Sequence, residues 1–585
     1  MRISSITIKN FKGIDEHGVC IEFAPITLLF GPNNAGKSTV MQALYLAREA
    51  FCQVEPDLEY TEPSGKGMDL GSFKDYVHKH DLSRTVFIGL ELQTDGLPLL
   101  GDSLELQRWE GWEEIEPLLE KVSSVCVEIG IRWNADLSRA ELVKCTIFIN
   151  KTHLTTIDLD SRTQTAYFRR LNTASFLSEE ATRILTGETL EAIWDRIGAQ
   201  PDGDGNDFLD YREKIFDHIH PLLQPFTDID QVVHTVSTID LPVEENKKPI
   251  IFPLGSSLVI DFDSSFIPLE YADIEPDYDP QTVSDDFSMN CLTLLSNLVL
   301  GPCRLIKKFM NTLLYVGPLR AIPERGQHRP LKPSFHRWAY GIAAWDMIAT
   351  VHDNELKRFN SFLHQAEDNK DGGEKFPPCS LRIGYTIKRE HVLTLAADSQ
   401  LVEELRKTLL EDFDENALPL LREFLAQTPE TRIRLHNAHS GVDLEPHDMG
   451  VGVSQVLPIV AAAAFAPFNA FVMAEQPALH IHPKVQVALG DIFIKAALEN
   501  EDAPMFLLET HSEHLLLRLL RRIRQTSEGT VLAGLELSPE KLAINWIGNE
   551  GGHSTVLRIK VSEDGSFDTL WPEGFFEERG VELFE

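Results

Sequence analysis

Cysteine is sparse and unpaired in this chain: the seven residues at 20, 52, 126, 145, 291, 303 and 379 are odd in number and never spaced C-x-x-C. That excludes a disulfide framework and offers no zinc-site spacing. Basic charge is short as well, with 54 Lys and Arg against 90 Asp and Glu and a formal net charge of −36. A surface that coats nucleic acid broadly is excluded, although a local basic groove is not, because counterion release depends on the charges at the contact. Long apolar runs are lacking too. Val456–Ala474 is free of charge but contains Pro458, Pro467 and Asn469, which predicts a buried helix, a turn and a buried strand and not a membrane span. The opening MRISSITIKNF is charged and alternating, without the apolar core of a signal peptide, so a cytoplasmic protein without membrane association is expected. No internal repeat and no sustained heptad is found, which argues against a solenoid or a long coiled coil.

What is present begins with a phosphate-binding loop. Gly31, Gly36, Lys37 and Ser38 of GPNNAGKST satisfy G-x-x-x-x-G-K-[ST], between an apolar strand at Ile26–Phe30 and a helix predicted over Ser38–Ala50. Backbone N–H groups across Gly31, Asn33, Asn34, Ala35, Gly36 and Thr39 suit phosphate oxygens, Lys37 suits the β- and γ-phosphates, and the Ser38 hydroxyl suits Mg²⁺. ATP with Mg²⁺ is the expected cofactor. A second cluster lies far downstream in three pieces: DMGVGVSQVLPIV from Asp448, EQP from Glu475 and ETHSEH from Glu509. Ser454, near the start of an apolar helix with Gly450, Gly452 and Gln455, suits a helix N-cap or an anion contact. Glu475 ends a predicted buried strand, where an acid can hold Mg²⁺, and a strand over Met505–Leu508 delivers Glu509, Thr510 and His511 to the same sheet edge.

The 585 residues exceed what one hydrophobic core organises, so more than one structural unit is expected. The predicted division is an N-terminal lobe at 1–95, a mixed α+β insertion with short helices at 96–310, a connecting segment at 311–380, where LLYVGPLRAIPER reads as a strand entering a Pro-broken loop, and a C-terminal lobe at 381–585.

The order of P-loop, S-Q signature, acidic strand end and T-H-S resembles the ABC-type ATPase heads of the RecF, SMC and OLD proteins, and NFKGI at Asn10–Ile14 is similar to their N-terminal strand motif. The resemblance covers the first 95 and the last 200 residues or so. More closely, E-Q-P-x-L-H-x-H-P, E-T-H-S-E-H-L-L and WPEGFFEE at Trp571–Glu578 resemble a group of prokaryotic ATPases with a shared C-terminal segment, often encoded in anti-phage defence loci, to which the Septu-type ATPase subunit is related. The resemblance implies an α/β fold: an ABC-type P-loop head of two lobes interrupted by an insertion. It implies that Lys37 and Ser38 are the P-loop lysine and magnesium ligand, Glu475 the Walker B acid and second metal ligand, His511 the γ-phosphate sensor and Lys12 an extra phosphate contact. Gly452, Ser454 and Gln455 would meet the nucleotide of a second subunit, so that a homodimer of heads, or a higher homo-oligomer, closes over ATP.

Two departures from the family pattern stand out. His482 falls where an acid often sits. Gln476 stands where Glu usually follows the Walker B acid; Gln can hold the attacking water but cannot take its proton, which predicts slow hydrolysis unless His511 or Glu509 supplies the base. OLD-type nucleases carry a further nuclease domain, and no D-x-D pair follows His511 here, so the expected effector is a separately encoded nuclease or toxin held by a nucleotide-gated sensor. The alternative is a RecF-like ATPase that clamps DNA in maintenance or repair.

Blander features complete the reading. Asp202, Asp204, Asn206, Asp210 and Glu213 follow calcium-loop spacing, but Asp207 occupies the position needing Gly, which predicts a solvated loop. The D-x-D strings at Asp158, Asp261 and Asp412 read as ordinary acidic turns. Among seven histidines between 436 and 514 only His511 has a motif argument, and Arg518, Arg521, Arg522 and Arg524 read as a solvated helix face opposite Leu516, Leu519, Leu520 and Ile523.

Overall fold

The computed structural model describes residues 1–52, 58, 68–97, 122–160, 165–171, 239–240, 251–252, 256–261, 274–276, 285–323, 330–364, 367–368, 374–375, 379–392 and 430–572. The calcium-like spacing at 202–213, the string at Asp412 and the tail beyond Pro572 lie outside them. The chain divides into two compact units, one of Met1–Phe23, Gly31–Thr312 and Asn545–Leu557, the other of Ala24–Phe30, Leu313–Ile544 and Arg558–Glu585.

The first unit is organised by an antiparallel sheet. Its main strands are β1 (Arg2–Lys9), β2 (Val19–Glu22), β4 (Thr85–Gln93), β5 (Ser124–Asn134), β6 (Arg139–Ile149), β7 (Thr152–Asp160), β8 (Thr165–Leu171) and β9 (Ser256–Asp261), with β3 (Ile26–Phe30) belonging to the second unit; their order is β9-β8-β7-β6-β5-β4-β1-β2. The sheet therefore runs without a break from β4 to β5, across residue 95. Period-2 alternation explains most of its burial, and the exception has a cause: Ile3 is odd-numbered whereas Ile6 and Ile8 are even, yet all three are buried. A bulge between Ile3 and Ser5 in the β1–β4 ladder shifts the register by one and returns all three to one face. Helix α1 (Lys37–Cys52) packs on α2 (Asp285–Met310), which also packs on β5 and β6. The 26 residues of α2 correct the expectation of short helices in this region: LTLLSNLVL is its middle, and Pro302 lies within it. The apolar content of that stretch fits a helix as well as a strand, and only its length separates the two.

The second unit is built on parallel strands β10 (Leu313–Val316), β13 (Phe471–Glu475), β14 (Met505–Glu509) and β3 (Ile26–Phe30), in that order. Every residue of β3 and β14, and the first four of β13, are buried, as continuous apolar runs covered on both faces should be. The longer helices among the described residues are α3 (Ile342–Thr350), α4 (Asp353–Leu363), α5 (Val451–Phe465), α6 (Pro483–Ala497) and α7 (Glu513–Ser527), and a smaller antiparallel ladder pairs β11 (Tyr385–Val392) with β12 (Glu430–Asn437). The charge-free stretch resolves into α5, a turn and β13, as its prolines predict. Hairpin strands β15 (Leu542–Glu550) and β16 (His553–Ile559) each cross the division between the units. No helix among the described residues is long and apolar enough to cross a membrane.

Helices α6 and α7 change the reading of the arginine face. Asp491 on α6 is fully buried and receives the Arg522 guanidinium through two bonds of 2.8 Å and Arg518 through one of 3.2 Å. Arg522 is thus an interior ion-pair partner and only Arg521 and Arg524 are exposed. The apolar stripe of α7 is broad enough that its flank is covered by the neighbouring helix, and a buried guanidinium there requires the carboxylate.

Candidate nucleotide site

In the first unit the glycine loop has the backbone its residues predict. Gly31 and Gly36 take φ values of +141° and +104°, and Asn34 takes +62°. Pro32, Asn33 and Asn34 are exposed, Ala35 and Thr39 are buried, and Ser38 is half-buried in the first turn of α1. Lys37, the first residue of α1, is buried and donates from Nζ to the carbonyls of Gly31 at 3.1 Å and Pro32 at 2.8 Å, so its charge is held across the loop. Thr39 N–H donates to Gly36 O. A Cβ on Gly31 would lie 2.0 Å from the Ile547 carbonyl oxygen, so glycine there is required by a neighbouring strand as well as by φ.

Ser554 of β16 ties this loop to the N-terminal motif. Its hydroxyl donates to Ala35 O at 2.9 Å and its N–H to Gly13 O at 2.8 Å, and a Cβ on Gly36 would approach its Oγ to 2.8 Å. No sequence signal marks Ser554. Lys12 sits beside it in the left-handed region, φ +49°. Its N–H donates to Tyr76 O, its carbonyl accepts from Nδ1 of the buried His78, and burial pushes its ammonium below the ordinary value against the pull of Asp69 and Asp75.

In the second unit the strand ends gather acids. Glu475 and Glu509 are register partners at the ends of β13 and β14. Burial, then the neighbouring Glu509 carboxylate, raises the Glu475 pKa from 4.5 to about 7, against a 2.8 Å hydrogen bond from the Tyr315 hydroxyl and the charge of Arg320. Tyr315 is pushed up by its own burial and by that carboxylate. Two carboxylates at one strand edge are a donor type that a hard divalent cation accepts. Gln476 turns the chain at φ +46° and donates its N–H to Glu509 O at 2.8 Å. Thr510 is buried with its N–H on Leu29 O, His511 is exposed, and Ser512 caps α7 by accepting from Leu515 N–H.

The signature residues differ in detail from expectation. Gly450, not Ser454, is the N-cap of α5. Ser454 lies one turn inside, 1% exposed, with its hydroxyl donating to Val451 O at 2.8 Å, because helical geometry starts at Val451 and a serine in the first turn bonds back to the turn before it. Gly452 is required by a close approach: a Cβ there would meet His480 O at 2.9 Å. Gln455 is buried and clamps Arg320, accepting from its N–H at 3.2 Å and donating to its carbonyl at 2.8 Å. His482, at the departure from the family pattern, caps α6 by accepting from Lys484 N–H. Sequence reasoning missed Tyr315 and Arg320 as members of this cluster; the strand followed by Pro318 was the only local signal.

Comparison with known proteins places the first of these motifs. Residues 1–95 match the family model described as AAA ATPase domain. Among solved structures the chain is similar to an SMC head bound to the C-winged helix domain of ScpA, with 10% identity, 96% of this chain and 99% of that chain covered and a TM-score of 0.37. It is similar also to an SMC head domain with an extended coiled coil bound to the C-terminal domain of ScpA, derived from Pyrococcus furiosus, with 10% identity, 96% of each chain and 0.35. A third likeness is to the SMC head domain from Thermotoga maritima, with 8% identity, 96% and 100% of the two chains and 0.33. A search of curated proteins found no match. The residues matched by that model include the whole glycine loop, Lys37 and Ser38.

Proposed function

We propose that this chain is an ABC-type ATPase head, formed by lobes at 1–95 and 381–585 around an insertion at 96–310 and a connecting segment at 311–380. In this reading it binds ATP with Mg²⁺, turns it over slowly, and through its nucleotide state gates a separately encoded effector, a nuclease or toxin of prokaryotic anti-phage defence. The observation that carries the nucleotide reading is the glycine loop with Lys37 held on its carbonyls. Topology supports the assignment of Glu475: the loop follows β3 directly in the chain, and β3, β14 and β13 are successive parallel neighbours, the latter two ending in Glu509 and Glu475.

Each residue then has a task. The loop N–H groups and Lys37 bind phosphate oxygens, Ser38 and Glu475 would hold Mg²⁺, which would supply charge neutralisation on the phosphates, and His511 senses the γ-phosphate. Gly452 and Ser454 face the nucleotide of a second head, so ATP is also the glue of a homodimer. Gln476 holds the attacking water without accepting its proton, which favours a long-lived bound state over rapid turnover.

The test is purification of the chain with the product of its neighbouring gene, followed by mass measurement and effector assay with ATP and with ADP. Nucleotide-dependent assembly that Lys37→Ala abolishes is expected. ATP-dependent DNA affinity with a steep salt slope and no effector would establish the DNA-clamping alternative instead, and assembly that persists in Lys37→Ala would overturn the site assignment.

A further inference from the structure

Arg320 is 4% exposed and sits in the middle of the second unit's acidic edge without bonding to either carboxylate. Its Nη1 donates to Gln455 O at 2.9 Å, and its Nη2 donates to Glu475 O at 2.6 Å and Gln476 O at 3.2 Å. Nε is buried with no hydrogen-bond partner. A guanidinium buried this way is a costly object to keep merely for packing. What it does hold is the peptide between Glu475 and Gln476, at the point where the chain leaves β13 and enters the left-handed turn at φ +46°.

Arg320 is itself fixed by others. Gln455 occupies both of its backbone groups, like one rung of a sheet. Ala321 N–H donates to Tyr340 O and Gly317 N–H to Ala339 O, so the loop that follows β10 is tied at both ends. Tyr315, on the same segment, binds the Glu475 side chain while Arg320 binds its carbonyl. The carboxylate and the peptide of Glu475 are therefore oriented from one segment, and that segment is locked to the first turns of α5 by Gln455.

We infer that Arg320 and Gln455 are a positioning pair for hydrolysis: Arg320 fixes the Glu475–Gln476 peptide, and Gln455 acts from within its own chain by fixing Arg320, in place of a direct contact with nucleotide. The inference rests on the ATPase reading above. Its logic is that of supporting residues that hold a metal-binding carboxylate and a water-holding amide in register, and such support acts on the chemical step more than on binding.

The experiment is single-turnover and steady-state ATP hydrolysis by the full chain with Arg320→Lys, Gln455→Leu and both together. Lysine keeps the charge but lacks the fork that reaches three carbonyls. Each single variant should lower kcat by about 10-fold or more with KM for ATP within about 2-fold, and the double variant should be no slower than the worse single, the sign of residues acting as one unit. Unchanged kcat in either soluble variant, or kcat and ATP affinity falling together with the unfolding midpoint, would overturn the pairing. If Arg320→Lys does not fold, Gln455→Leu decides by the same kcat and KM criteria. A parent chain without Lys37-dependent hydrolysis would overturn both readings, whereas an active parent with indifferent variants overturns only this one.

Discussion

Glu475→Gln, in nucleotide-free protein kept metal-free with EDTA, should make the chain more stable, and only above about pH 4. The folded carboxyl titrates at about 7 because it is buried beside Glu509, whereas the unfolded one titrates near its ordinary 4.5. Between those values the folded chain keeps a proton that the unfolded chain has released, so stability falls as pH rises through the window and the loss is complete above pH 7. At about 1.4 kcal/mol per pH unit the full displacement corresponds to about 3 kcal/mol. Glutamine retains an oxygen for the Tyr315 hydroxyl and has nothing to ionise, so the variant escapes the penalty. Urea denaturation of parent and variant at pH 5 and pH 8 reads the difference, in which the titrations of groups remote from Glu475 cancel. A gap of about 0.8 kcal/mol at pH 5 that widens to about 3 at pH 8 is expected. A gap independent of pH, or a variant less stable at pH 8, would refute the idea that Glu509 and burial hold Glu475 in a strained charge state.

Gln476→Glu should speed single-turnover hydrolysis at least several-fold, since a base is placed where only a water-holding amide stood; an unchanged or lower rate removes this residue as the brake. Gly31→Ala should abolish ATP binding measured by titration calorimetry, because the added methyl would lie 2.0 Å from Ile547 O, and full retention of binding contradicts the described contact. Asp491→Asn should cost about 3–5 kcal/mol in urea denaturation by leaving Arg522 buried against half a partner, and Asp491→Leu with Arg522→Met should recover most of it. A cost under about 1 kcal/mol would mean the pair is reached by water.

What could be read from sequence follows the range of the interactions. The β3, loop and α1 unit was legible because its signals are local: five apolar residues, glycines at fixed offsets and a helical run. The α5, turn and β13 succession was legible for the same reason, since Pro467 and Asn469 punctuate it. The N-cap of α5 was misplaced by a turn because both Gly450 and Ser454 suit that position, and only the backbone angles separate them. Periodicity predicts a solvated Arg522 because its partner Asp491 is on another helix, and periodicity on one helix does not register what covers its flank. Arg320 is joined to Gln455 across 135 positions of chain, and nothing in either neighbourhood announces the pairing. Function-bearing residue types were thus visible, whereas the groups that aim them were not.

The Ser554 clasp has a consequence for the order of events in synthesis. Ala35 and Ser554 are separated by 519 positions, which at about 5–20 residues per second leaves the glycine loop without its clasp for roughly half a minute to two minutes after it emerges from the ribosome. During that interval the loop lacks both the hydroxyl on Ala35 and the neighbouring Ile547 strand that excludes a side chain at Gly31. A nascent chain therefore cannot present the finished glycine loop, and on the proposed reading nucleotide capture would report that the last strands have arrived.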